Sequence, residues 1–370
     1  MIRIGFVIEQ ALGHVTHGQN LQKNVALDPS IDAKWVLPAW EAGGLAGLIP
    51  NWTFRAGWQA RQGIAGLQRQ APLDALFFHT QVTAVLATNW INQIPSIISL
   101  DATPMQYDEL GEFYAHDPGP AWLENWKWKL NRNAFRTAKH IVTWSEWAKE
   151  GLVRDYEVPA DKITVIPPGV NVQEWCRPQQ RAGSPNAPVK ILFVGGNLER
   201  KGGFVLLEAF RSLKTILAND ESESKIELHL VTKDQVDEEP GLFVYNNMQP
   251  NSAPLRQLYH DCDIFCLPTY GDCLPMVLSE AGAAGLPTIS TNVAAIPEIT
   301  LDGKTGYIIP PGDASSLVQA LKKLVVDAGF RQQQGKQATE YVQQKFDAQA
   351  NATRLLKLLK ETAEHHSSKR

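Results

Sequence analysis

The sequence predicts an α/β protein of two similar domains, each built on a largely parallel sheet with helices on both faces. Three observations lead there. Short apolar segments alternate with stretches long enough for helices along most of the chain. A polar, proline-rich stretch near residue 180 interrupts the alternation, which then restarts. At 370 residues the chain is also long for one hydrophobic core and comfortable for two.

The first half offers six strand candidates: IRIGFVI (2–8), AKWVLP (33–38), DALFFHT (74–80), PSIISLD (95–101), HIVTWS (140–145) and KITVIPP (162–168). His17 to Leu27 and Trp122 to Lys139 are long enough for helical crossovers between them. Residues 171–188 hold Pro178, Pro185 and Pro188 and read as a linker. Beyond it come KILFVGG (190–196), the helix candidate FVLLEAFRSLKTIL (204–217), IELHLVTKD (226–234), DIFCLPT (263–269), PTISTN (287–292) and GYIIP (306–310). The expected division is an N-terminal domain over 1–175, a linker over 176–188, a C-terminal domain over 189–340 and a helical tail over 341–370. In that tail Leu355, Leu356, Leu358 and Leu359 mark an apolar face, which suits packing back onto the N-terminal domain.

Composition excludes several classes. Hydrophobic residues make up 44% and charged residues 20%, as in a globular protein. Residues 1–180 carry 15 basic against 17 acidic side chains and the remainder 20 against 22, so no basic domain points to nucleic acid. The four cysteines, at 176, 262, 266 and 273, fit neither zinc spacing nor a disulfide framework. They read as thiols in a reducing compartment. No apolar stretch reaches 18 residues, and the chain opens into a strand rather than a leader, so a cytoplasmic location is expected. Trp122, Trp126 and Trp128 with Lys127, Lys129, Arg132 and Arg136 form an aromatic, basic stretch. It reads first as an ordinary helix of the N-terminal domain, with a peripheral contact at the inner membrane face as the alternative.

Parallel sheets bind ligands beyond the carboxyl ends of their strands, where helix N-termini present free amides to anions. Three loops fit. EQALGHVTHGQN follows the first strand, and Gly13 lets backbone approach a ligand. GGNLERKGG, 195–203, resembles a Walker loop but lacks the GK[ST] order; Arg200 and Lys201 in it suit a diphosphate. GDCLPMVLSEAGAAGLPTI, 271–289, reads as loop, helix and strand. Pro275 falls at the helix start, main-chain amides around Leu274 to Val277 can meet phosphate or sugar oxygens there, and the Asp272 and Glu280 carboxylates offer acceptors suited to hydroxyl donors. No cluster suits a metal.

At these residues the chain resembles the retaining, nucleotide-sugar-dependent glycosyltransferases of family 4. These have the GT-B architecture, two Rossmann-like domains with parallel sheets facing across a cleft. The family's E-x7-E signature reads DCLPMVLSEAGAAGLP here, flanked by VIPPGVN (165–171), FVGGNLERKGG (193–203) and AAIPEITLDGKTGYIIPPGD (294–313).

The resemblance implies that Glu280 holds the nucleotide ribose and that Asp272 contacts the donor sugar. Lys201 would touch the diphosphate, and Gly13 would lie beneath the donor. Cys273, Leu274, Pro275 and Met276 complete the donor loop. Asn197 stands where the family's basic residue usually does, so Arg200 is expected to substitute from another angle. Asp272 is one methylene shorter than the usual glutamate, and the family's paired glycines before PE are Ala294 and Ala295. Asp101 occupies the place of a family histidine; an acceptor contact, assistance to deprotonation, donor orientation and a cap role all remain open for it. His14, Thr16, His17 and His116 are candidate acceptor contacts.

The implied reaction moves a hexose from a nucleoside diphosphate sugar, with UDP-glucose the first to try, onto a hydroxyl of a small-molecule, glycan or lipid-linked acceptor. Configuration is retained and no cofactor or metal is needed. Nothing in the sequence specifies an oligomeric state. The rival readings are a catalytically degenerate nucleotide-sugar-binding protein and a nucleotide-sugar epimerase of the same architecture.

Overall fold

The computed structural model describes residues 1–11, 14–39, 51–111, 119–178, 187–220 and 225–367. Gly13, His116 and most of the 176–188 segment lie outside them. Two compact units emerge, one formed by residues 1–169 with 348–370 and the other by 170–347.

The first unit is a six-stranded parallel sheet. Its strands are β1 (Ile2–Ile8), β2 (Ile31–Val36), β3 (Ala75–His79), β4 (Ser96–Leu100), β5 (His140–Thr143) and β6 (Ile163–Val165), in the order β2-β1-β3-β4-β5-β6. Both faces are buried, and side chains alternate between two apolar layers as a two-residue period requires. Val7, Leu76, Phe78 and Ile98 enter one layer; Ile4, Phe6, Phe77 and Ile97 enter the other. That second layer is closed by the terminal helix Ala348–Ser367 through Leu355, Leu356 and Leu359, with Leu358 packed alongside. Lys360 pins the helix to Asp28 at 2.6 Å, and Arg354 donates to the Val165 carbonyl.

The second unit is also a six-stranded parallel sheet. It comprises β7 (Val189–Val194), β8 (Ile226–Val231), β9 (Leu242–Tyr245), β10 (Ile264–Leu267), β11 (Thr288–Thr291) and β12 (Gly306–Ile309), in the order β12-β11-β10-β7-β8-β9. The strand at 242–245 was not among those expected. It is a half-exposed edge with little apolar signal. The short helix Val172–Trp175 lies in this unit rather than the first, because Trp175 is buried edge-on against Tyr259. The division therefore falls at 169/170 instead of beyond residue 175, and the returning tail begins at 348 instead of 341.

In each sheet the strand order reverses once: between β1 and β3 in the first unit, between β7 and β10 in the second. At such a point the crossovers leave to opposite faces and a crevice opens beyond the carboxyl ends.

Candidate active site

In the second unit the loops after β7 and β10 flank the reversal. The β7 loop folds into a tight turn. Asn197 accepts from the Arg200 amide at 2.7 Å, Asp234 accepts from the Leu198 amide at 2.6 Å, and Gly203 donates to the Leu198 carbonyl. Gly202 then caps helix Gly203–Asn219 with φ +73°, and a Cβ there would lie 1.9 Å from the Pro268 carbonyl oxygen. Only glycine fits, and the close approach brings the turn against the β10 loop. Arg200 accordingly donates to the Gly271 carbonyl at 2.6 Å and reaches Asp272 at 3.4 Å.

Lys201 Nζ lies 2.5 and 2.6 Å from the two oxygens of Asp272, and the Thr269 hydroxyl donates to one of them at 2.9 Å. With Arg200 these contacts fill the roughly four lone-pair positions of a carboxylate. A sugar hydroxyl then finds an acceptor on Asp272 only when Lys201 turns away. Burial lowers the Lys201 pKa, Arg200 adds to the shift, and Asp272 opposes it.

Glu280 stands in helix Met276–Ala283, which follows β10. It is buried, and Tyr259 donates to it at 3.1 Å. Burial pushes the Glu280 carboxyl up to about 7, against the pull of that hydrogen bond. Pro275 is the residue just before the helix rather than its first turn. Cys273 and Leu274 are buried, and the Cys273 carbonyl accepts from the Ala295 amide at 3.1 Å. The small-residue run after Glu280 has a packing cause: a Cβ on Gly282 would come 2.6 Å from Val342 of helix Ala328–Lys345. Among the described residues no group of His, Cys, Asp and Glu suits a metal ion.

In the first unit, His14 opens helix His14–Val25 after β1, and its Nδ1 lies 3.1 Å from Nε2 of His79 at the end of β3. His79 stacks on Trp144, with ring centroids 5.2 Å apart, and His17 packs against both rings. Burial, with His14 adding, lowers the His17 imidazole to about 3; burial also holds His79 well below its ordinary value. Thr16 does not join this cluster: it is roughly 200° around the helix from His14. Glu9 is spent locally, accepting from the Trp52 indole at 2.6 Å and the Thr80 hydroxyl at 2.5 Å.

Asp101 follows β4 and is buried. One of its oxygens accepts from the Tyr107 hydroxyl at 2.8 Å, while Oδ1 has no partner among the described residues. It is not the cap of the next helix. Thr103 caps Pro104–Glu109 and forms a reciprocal box with Gln106. Sequence reasoning passed over His79, Gln81, Tyr107 and Tyr259. His79 ends the strand within DALFFHT and Gln81 follows it, at the carboxyl end that already carried the signal.

Two family models match consecutive parts of the chain: "Glycosyltransferase Family 4" over residues 28–174 and "Glycosyl transferases group 1" over 188–327. A relative from Salmonella typhimurium, the putative colanic acid biosynthesis glycosyltransferase WcaL, is 30% identical over 58% of this chain and 54% of its own. The chain spans about half the length of the curated relatives it matches. Among solved structures, sucrose-phosphate synthase from Thermosynechococcus elongatus superposes with a TM-score of 0.77 at 16% identity, covering 98% of this chain and 99% of that one. Anabaena HepE, solved in complex with UDP and glucose, gives 0.68 at 15% identity, covering 97% and 100%.

Proposed function

Since the chain is a GT-B-fold relative of the family 4 and group 1 glycosyltransferases, we propose that it transfers a hexose from a nucleoside diphosphate sugar to a hydroxyl acceptor, with retention of configuration. The observation that carries this reading is the pairing at the second sheet's reversal. Two cations on a tight glycine turn stand beside a carboxylate, and a buried glutamate sits in the helix that follows. Lys201 and Arg200 neutralise the diphosphate as its bond to the anomeric carbon breaks, a charge that develops on the leaving group. Glu280 accepts from the ribose hydroxyls. Asp272 holds the two cations in register before donor arrives, then takes a sugar hydroxyl as Lys201 moves to phosphate.

In the first unit, the free oxygen of Asp101 accepts the attacking hydroxyl and orients it, with Tyr107 fixing the carboxylate. The His14–His79 pair offers ring nitrogens to a sugar hydroxyl, and burial favours the neutral form of His79. Attack comes from the face the diphosphate leaves, and the departing diphosphate receives the proton, so no second carboxylate is required. No metal has a role in this scheme.

UDP-glucose is the donor to try first, supported by the HepE complex and the family likeness. The test is release of UDP by purified protein with UDP-glucose and a mixture of hydroxyl acceptors. No turnover of any nucleotide sugar, together with unchanged donor binding by Glu280→Ala, sinks the proposal. The saturated carboxylate of Asp272 favours one rival, a binder that no longer catalyses. It predicts donor binding without acceptor-dependent UDP release.

A further inference from the structure

His14 follows β1 and His79 ends β3, the two strands between which the order of the first sheet reverses. His79 is fully buried and its ring is fixed on several sides. The ring lies on Trp144 with 8° between the planes, and its Nε2 meets Nδ1 of His14 at 3.1 Å. His17 packs against the same ring, tilted by 56°, and the Trp144 indole donates to the Ser99 hydroxyl at 3.2 Å. The other nitrogen of His79, Nδ1, is buried and has no hydrogen-bond partner among the described residues.

That orphaned nitrogen decides where the hydrogens lie. Burial holds the His79 imidazole well below its ordinary value, so the ring carries a single hydrogen. On Nδ1 it would be a buried donor with nothing to accept it, a rare and costly arrangement. A bare lone pair there is the better tolerated of the two. The hydrogen therefore sits on Nε2 and is donated to Nδ1 of His14. With Nδ1 of His14 accepting, the hydrogen of that second ring belongs on its Nε2. His14 is only half buried, and its Nε2 makes no hydrogen bond among the described residues.

We propose that His79 is a positioning residue, whose Nε2 hydrogen locks His14 into the tautomer that donates from Nε2 to a substrate oxygen at the first sheet's reversal. The placement of the hydrogens stands without the transfer reading; the use of the donor rests on it. Of the ring nitrogens in the pair, only Nε2 of His14 is left for a ligand, and only as a donor. It suits a hydroxyl or phosphate oxygen. A general base needs a bare nitrogen, so the same tautomer excludes His14 from deprotonating the acceptor.

The experiment uses the full chain with isotope-labelled nitrogen in its histidine rings, at pH 8, read by long-range proton–nitrogen correlation. His14→Gln and the ring contacts of His79 with Trp144 assign the signals. The expected spectrum shows a protonated Nε2 and a bare Nδ1 for both residues. A hydrogen on Nδ1 of His79 overturns the inference, and this readout on the parent protein decides even where a variant fails to fold. Addition of UDP, UDP-glucose and methyl glucoside in turn identifies the oxygen. The His14 Nε2 hydrogen moves downfield with UDP for a phosphate, with UDP-glucose alone for the donor sugar, and with the glucoside for an acceptor hydroxyl. No movement with any of the three overturns the donor role. In UDP release from UDP-glucose with a hydroxyl acceptor, His79→Leu is expected to lose about tenfold in kcat/KM, the scale of one hydrogen bond. His79→Gln puts an amide hydrogen near the place of Nε2 and restores most of the rate, whereas the shorter His79→Asn does not. Equal rates for the Gln and Asn variants mark a packing role and overturn the positioning. The expected spectrum without UDP release by the parent protein sinks the transfer reading and leaves the histidine assignment standing.

Discussion

The Lys201 ammonium is clasped by both oxygens of Asp272, 71 residues away, at 2.5 and 2.6 Å. The pair joins the loops after β7 and β10, so the cation is positioned before any phosphate arrives. Replacing Lys201 with Ala is expected to weaken UDP binding about 10- to 100-fold, the range for a lost hydrogen bond to a charged group. Uridine, which lacks the phosphates, should bind as before. Calorimetry with both ligands checks this; equal losses for the two would remove Lys201 from the diphosphate. Asp272→Asn has a different expected signature, a lower melting temperature from the unpaired cation and slower turnover, with UDP affinity changed only a few-fold.

On the proposed reading, Glu280 should give nucleotide binding a pH dependence. Its carboxyl is raised to about 7 by burial, whereas hydroxyls donate more strongly to the ionised form. UDP affinity should climb by up to tenfold per pH unit below about 7 and level off above it. Binding near neutrality should release a proton, seen as a buffer-dependent calorimetric heat. In the free protein the sign for stability is opposite. A folded pKa above the unfolded value contributes stability that is whole below about 4.5 and is lost as pH rises through about 7, at most about 3 kcal/mol. Glu280→Gln should flatten both profiles and melt higher than the parent at pH 8.

Asp101 and Tyr107 separate orientation from binding. Asp101→Asn keeps the shape of the site and gives its amide a hydrogen to offer where the carboxylate only accepts. Acceptor kcat/KM is expected to fall about a hundredfold, within the range for a positioned catalytic group. UDP affinity should not move. Tyr107→Phe leaves the carboxylate but frees its second oxygen, and a loss of about tenfold is expected. Steady-state kinetics at varied acceptor concentration distinguish the two; no effect from either would place the acceptor hydroxyl elsewhere.

The histidine cluster of the first unit predicts acid sensitivity. His17 is lowered to about 3, so folding favours its neutral form. The stability this contributes is present above the ordinary histidine value near 6.5 and is lost as pH falls from there toward 3. His79 shifts in the same direction. Thermal melts should steepen in their pH dependence below 6.5, and His17→Gln should shallow that slope. An unchanged slope would mean that His17 stays solvated.

Ala294 sits in left-handed backbone at φ +47°, at the first of the two positions where the resembling family has paired glycines. The conformation costs a residue with a Cβ roughly 1–2 kcal/mol, partly offset by the extra freedom glycine has when unfolded. Ala294→Gly should therefore raise stability by up to about 1 kcal/mol in denaturant titrations. A loss would show that the alanine methyl packs usefully.

What the sequence by itself determined is the architecture and which charged residues the second unit's loops carry. Strand periodicity placed eleven of the twelve strands among the described residues, and Arg200, Lys201 and Asp272 lie within two short loops, with Glu280 in the helix that follows the second. Tertiary structure decided which groups meet. The Lys201–Asp272 clasp, the His14–His79 contact and the Tyr259 bond to Glu280 each join strands or helices that only sheet order brings together. The oxygens of Asp101 and Gln81 that lack a partner among the described residues are visible in no motif either, because an unpaired acceptor is a property of everything packed around it. Periodicity records the faces that must be buried, whereas the partners of a buried polar atom depend on long-range register, which no short window of sequence contains.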